Sequence, residues 1–161
     1  MTTGPHTPAS ASGDGDRRRE DDRSEPLIGA RFRIEIDGVP DTTAIEVVFP
    51  EARIVTGRGK SGVQYGPLTL RRGLTTSKDW YQWWDRARGS RARAKNVSRT
   101  VHVILLDRFQ ADVNRWTFLK AAPIAYCLSP LNALVSAPLV ETLELSVHGF
   151  EATFDLSSRD Y

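Results

Sequence analysis

The sequence predicts a mainly β domain, an antiparallel sandwich or barrel with a single flanking α-helix. Three observations carry this expectation. Residues 31–37 (Arg-Phe-Arg-Ile-Glu-Ile-Asp) alternate apolar with charged, the period of a strand with one buried face. Trp80, Trp83, Trp84 and Ala87 recur at i, i+3, i+4 and i+7, which places them on one helical stripe. From Thr100 onward the chain returns to extended patterns, ending in an alternating segment at 140–154.

The first strand stops at Asp37-Gly38, a turn signal. Residues 45–49 and 52–56 read as two short strands separated by Pro50, which has no N–H to give a ladder. Gly57, Arg58, Gly59, Lys60, Ser61 and Gly62 read as a flexible cationic loop, after which residues 63–65 and 68–71 resume extended structure. For the helix, Ser77 is the expected N-cap, Asp79 suits the positive end of the dipole, and Gly89 is the expected left-handed stop. Its tryptophan stripe requires a sheet to cover.

Residues 101–106 are apolar except His102, as in a strand buried on both faces. A loop over 107–112 leads to a strand at 113–119, with Trp116 and Phe118 on one face. Pro123, Pro130 and Pro138 divide the next segment into a short strand at 124–128 and a long loop. In the closing segment Leu143, Leu145 and Val147 form one apolar set. After Gly149 the phase flips to Phe150, Ala152 and Phe154, which implies a bulge or bend.

The 161 residues suffice for one domain with a real core. Residues 1–26 lack aromatic and β-branched aliphatic side chains, so they read as a disordered arm before a domain at 27–156 and a short tail at 157–161. No apolar run reaches the roughly 20 residues of a membrane helix, and no signal-like apolar core is expected near the start. The net charge is +2; the arm holds four arginines against six carboxylates, leaving 18 basic and 14 acidic residues beyond it. That excess is mild for a dedicated nucleic-acid binder. The lone cysteine, Cys127, permits no intrachain disulfide and reads as a small buried apolar residue.

Residues 57–62 match G-x-G-x-x-G letter for letter and contain Gly-Lys-Ser. Both nucleotide motifs must open a helix, whereas Val-Gln-Tyr-Gly-Pro comes next, and a phosphate loop needs glycine where Ile54 stands. No cofactor is therefore expected. His6, His102 and His148 have no metal-ligand spacing, and no nucleophile motif appears, so no catalytic or metal residue is nominated. Arg86, Arg88, Arg91, Arg93 and Lys95, with Arg99 beyond, form a basic run across the helix end. A solvated loop or a charged contact with a neighbouring subunit is its expected use. The competing reading is a nucleic-acid-binding β-barrel gripping phosphates through residues 86–99.

Several phrases, in order, resemble the tail-tube proteins of contractile phages. They are Phe-Arg-Ile-Glu-Ile-Asp-Gly at 32–38 and Tyr-Gly-Pro-Leu-Thr-Leu-Arg-Arg-Gly-Leu at 65–74, which runs into the tryptophan-rich helix. Arg-Trp-Thr-Phe at 115–118 with Ala-Pro-Ile at 122–124, Leu-Asn-Ala at 131–133, and the closing segment at 140–150 complete the set. The resemblance implies a structural, non-enzymatic subunit of an inner tube or of a tube-initiating ring at a baseplate. It implies six-membered rings stacked inside a sheath, with sheath, spike and baseplate proteins as partners and no membrane anchor. It also implies assembly in the bacterial or archaeal cytoplasm into a phage tail or injection particle. Gly57 to Gly62 is then the candidate ring-stacking loop. Two departures stand out: residues 46–51 replace the glycine-containing turn expected after the second strand, and the arm is long for a simple tube subunit.

Overall fold

The computed structural model describes Met1 and residues 28–29, 31–40, 43–89 and 97–154. The expected arm, the tail and Arg91, Arg93 and Lys95 therefore lie outside the described residues. Among the described residues, nine strands and one helix run in the order β1 (Phe32–Ile36), β2 (Glu46–Val48), β3 (Ala52–Gly57), β4 (Lys60–Tyr65), β5 (Leu68–Gly73), α1 (Asp79–Arg88), β6 (Arg99–Leu106), β7 (Asp112–Leu128), β8 (Val140–Ser146) and β9 (Glu151–Thr153). Their pairings are antiparallel. Seven strands form one sheet in the order β1-β6-β7-β8-β5-β2, with β9 also on β7, and β3 and β4 form a separate pair.

The sheet folds over itself because β7 serves both halves. Its first part pairs with β6 and β9, and its second part pairs with β8. The proline at 123, expected to divide this region, leaves the strand continuous. A register shift between Pro123 and Ala125 absorbs it, and nearby Lys120 takes a left-handed φ of 54°. Strand β7 also begins at Asp112, inside the expected loop. The shortened turn is held by the Asp107 carboxylate, which accepts N–H bonds from Phe109 (2.7 Å) and Ala111 (2.9 Å). The expected bend near Gly149 separates β8 from β9, and both still pair with β7.

One apolar core lies between the halves. Ile34 and Ile36 of β1, Leu68 and Leu70 of β5, Val101 and Val103 of β6, Phe118 of β7, and Leu143 and Leu145 of β8 are all buried. These are the inward members of each alternation. On β6 Ile104 is buried as well, on the face shared with Arg33 and Arg115. Those arginines form an ion lattice with Glu35 and Asp112, in which Arg33 grips both Asp112 oxygens at 2.5 and 2.8 Å. The lattice holds the Asp112 carboxyl below its ordinary range, mainly through the Arg33 hydrogen bond. Cys127 corrects the expectation from sequence: it is exposed, because it falls on the outward phase near the end of β7.

Candidate assembly site

Helix α1 covers one flank of the sandwich. Trp80 and Trp83 are buried, and Trp84 and Ala87 are half-buried against the core. The Trp83 indole donates to the Val97 carbonyl at 2.6 Å, fixing the chain that enters β6. The helix ends depart from expectation. Lys78, not Ser77, occupies the N-cap position without a side-chain cap, and the Asp79 carboxylate instead accepts the Trp80 N–H at 2.8 Å. Gly89 is right-handed at φ −79°.

Beneath α1 lies a buried ion network that sequence reasoning missed. Arg72 of β5 binds the carboxylates of Glu141 and Asp79, and its guanidinium lies 4.3 Å from the Trp80 ring centroid. Tyr126 donates its hydroxyl to Glu141 at 2.7 Å. Arg72 and Glu141 are respectively 2% and 1% exposed. Burial alone pushes the Asp79 carboxyl up, but the hydrogen bond and charge of Arg72 outweigh it and hold the group below its ordinary value. Burial and the bond to Glu141 raise the Tyr126 phenol. A phase signal did exist. Arg72 follows Leu68 and Leu70 at two-residue steps, and Glu141 precedes Leu143 and Leu145 in the same way.

The candidate stacking loop is not a loop. Arg58 and Gly59 form a two-residue turn with φ 36° and 80°, the mirror-image turn that suits strand twist, and Lys60, Ser61 and Gly62 already belong to β4. The resulting hairpin stands off the body. Every residue of β3 is exposed, as are Ser61 to Gln64 of β4. Its cross-strand pair Ile54 and Val63 is 76% and 52% exposed. A strand, not a helix, comes after the glycines, so this segment lacks the helix N-terminus a nucleotide phosphate needs.

The edge strands β1 and β2 do not pair with each other, and the seam between them is open. It forms a groove of about 310 Å³ whose lining includes Phe32, Val47, Phe49, Val103, Leu105 and Trp116. Phe49 stands edge-on to Trp116, with centroids 5.0 Å apart.

Of the basic run, Arg86, Arg88 and Arg99 fall among the described residues. Arg86 is exposed, Arg88 pairs with Asp85 and lies over Trp84, and Arg99 reaches the Asp37 carbonyl at 2.7 Å while packing over Trp83. His102 meets the Thr117 hydroxyl at 3.0 Å, and His148 is exposed on the turn before Gly149. Among the described residues no helix is long and apolar enough to cross a membrane.

Residues 29–151 match the family of T4-like virus tail tube proteins, gp19. The chain belongs to that family. As a tail tube protein it is a structural subunit of the contractile-tail class, and its mainly β architecture with one helix is the tube fold. No curated protein matches it in sequence. Among solved structures it is similar to a chain of the anti-feeding prophage baseplate, at TM-score 0.60 and 21% identity, covering 81% of this chain and 97% of that one. A chain of the PVC sheath-tube complex, an extracellular contractile injection system in its extended state, aligns at TM-score 0.57 and 13% identity, covering 89% and 99%. Hcp1 from Flavobacterium johnsoniae aligns at 0.52 and 15%, covering 77% and 98%. At these identities the likeness is one of fold.

Proposed function

We propose that this tail tube protein forms six-membered rings that stack into an inner tube, or form the ring that starts one at a baseplate, acting as structure rather than as an enzyme. The observation that carries this reading is the β3–β4 hairpin. A two-stranded hairpin without a core is marginal in water, so a chain that keeps Ile54 and Val63 exposed has a use for them against another surface. The hairpin tip at 57–62 is the stacking element, reaching the adjacent ring. Arg86 and Arg88, with Arg91, Arg93 and Lys95, supply charged contacts between subunits. Head-to-tail contacts of this kind close into rings when the rotation allows. Sheath, spike and baseplate proteins are the partners, and the particle, phage tail or injection device, assembles in the cytoplasm.

Electron microscopy of the purified protein tests this, with the intact chain and with residues 1–26 removed. Rings or stacked tubes are expected; tubes only after truncation would assign the arm a restraining role at an initiating ring. Isolated monomers in both samples across a wide concentration range would contradict the ring.

A further inference from the structure

We propose that residues 155–161 fold back across the open seam between β1 and β2 of their own chain, with Leu156 on its apolar floor and Arg159 at Glu46. The seam is floored by Val103, Leu105 and Trp116, and its rim residues Ile45 and Phe49 are 60% and 41% exposed. Apolar surface therefore meets water along the groove. A cavity of roughly 150 Å³ holds one benzene-sized guest. The groove, at about 310 Å³, suits a short stretch of peptide better than a lone side chain.

Phe154 brings this segment to the groove. Its ring stands edge-on to Trp116 with centroids 6.4 Å apart, and Phe49 of the rim meets the same ring at 5.0 Å. Strand β9 runs along β7 from Thr117 back to Arg115, so the chain after it heads for the end of the sandwich where Phe32 pairs with Leu105. Both of those residues line the groove. Leu156 follows Phe150, Ala152 and Phe154 at two-residue steps, so an extended chain keeps it on their side. Residues 155–161 span up to roughly 23 Å at about 3.3 Å per residue, ample to cross two sheets packed about 10 Å apart.

Charge fixes the seating. Glu46 is the charged residue lining the groove, and it holds Arg71 at 2.6 Å through one oxygen, leaving the other for a second cation. Arg159 is the one basic residue of the segment. Asp155 and Asp160 meet no basic lining residue and stay toward water. Gly29 also lines the groove, so the residues before it come close too. Residues 1–26, however, hold no leucine, isoleucine, valine, phenylalanine, tyrosine or tryptophan to bury, and Ile28 is 74% exposed. Residues 155–161 offer Leu156 and Tyr161.

The test is an intramolecular disulfide in the full chain with Cys127→Ser. Leu156→Cys is combined with Ile45→Cys at the exposed rim, or with Val47→Cys as a second position. The control partner is Phe109→Cys, 75% exposed on the turn joining β6 to β7, which the segment would approach if it simply ran on along β7. On oxidation of dilute protein, the rim cysteine should join Cys at 156 at least about tenfold more than the control does, since disulfides need Cα atoms within about 7 Å. The yield should not change with dilution. Arg159→Glu should lower it severalfold, and Glu46→Lys in that variant should restore it. Equal or greater joining to the control would show the segment running past the seam and overturn the proposal. Links that form only between chains and fade on dilution would give the groove to a second copy and also overturn it. Whether the protein forms rings has no bearing on the outcome, because the link lies within one chain.

Discussion

The flank under α1 and the β3–β4 hairpin use the same kinds of residues to opposite ends. Under the helix, Trp80, Trp83, Arg72 and Glu141 are all withdrawn from water, and Arg72 pairs with both Glu141 and Asp79. On the hairpin, Ile54, Val55 and Val63 stay exposed, and the ion pair at its base, Arg53 with Glu51 at 2.7 Å, is in solvent. The first region is buried within one chain. The second leaves its apolar side chains exposed. Internal stability and assembly are therefore separable by mutation.

The largest effect should come from Arg72→Met. Removing the guanidinium leaves the Glu141 and Asp79 carboxylates buried without their cation, and breaking a buried pair in this way costs about 3–5 kcal/mol. Urea unfolding should show that loss, and a change under about 1 kcal/mol would mean the network contributes little.

A smaller, pH-dependent effect comes from Asp79. Its folded pKa lies below the ordinary value of about 3.9, so the ionised form adds stability at all pH above that value, which is lost as pH falls through the lower, folded one. Asp79→Asn should therefore be less stable than the parent at neutral pH, with the gap narrowing below about pH 4. Asp112, also lowered but more exposed, contributes a weaker slope in the same window. A gap that stays constant from about pH 7 to about pH 3 would remove Asp79 from the network.

The smallest effect on the single chain belongs to Ile54→Ser with Val63→Ser. Substitution of exposed residues away from the core should shift unfolding by no more than about 0.5 kcal/mol each. The same double variant should lose rings and tubes in microscopy. Loss of stability comparable to Arg72→Met would show that the hairpin packs on its own body.

These contrasts mark where the sequence was legible. Alternation located Ile34, Ile36, Leu143 and Leu145 in the core, and the helical stripe located Trp80 and Trp83. It failed for Arg72 and Glu141 because their charge outranked their phase, although both sit in step with buried leucines. Pro123 looked like a break because the bulge that accommodates it depends on β8, a long-range partner no local pattern shows. Cys127 looked buried for its apolar neighbours, yet the strand's phase turns it outward. The hairpin was the hardest element to read. Ile54 and Val63 look like core residues, and nothing local reveals that they stay exposed. At the assembly site, the glycines at 57–62 announced a turn but concealed that two-thirds of the segment is strand.

Amide hydrogen exchange across residues 52–65, compared between dilute and assembled protein, tests the division between body and hairpin most directly. Amides of β6 and β8 should be protected in both samples, and those of β3 and β4 should exchange fast in the dilute chain and slow by at least about tenfold on assembly. Equal protection of the hairpin in both states, whether fast or slow, would contradict the claim that a second copy completes it.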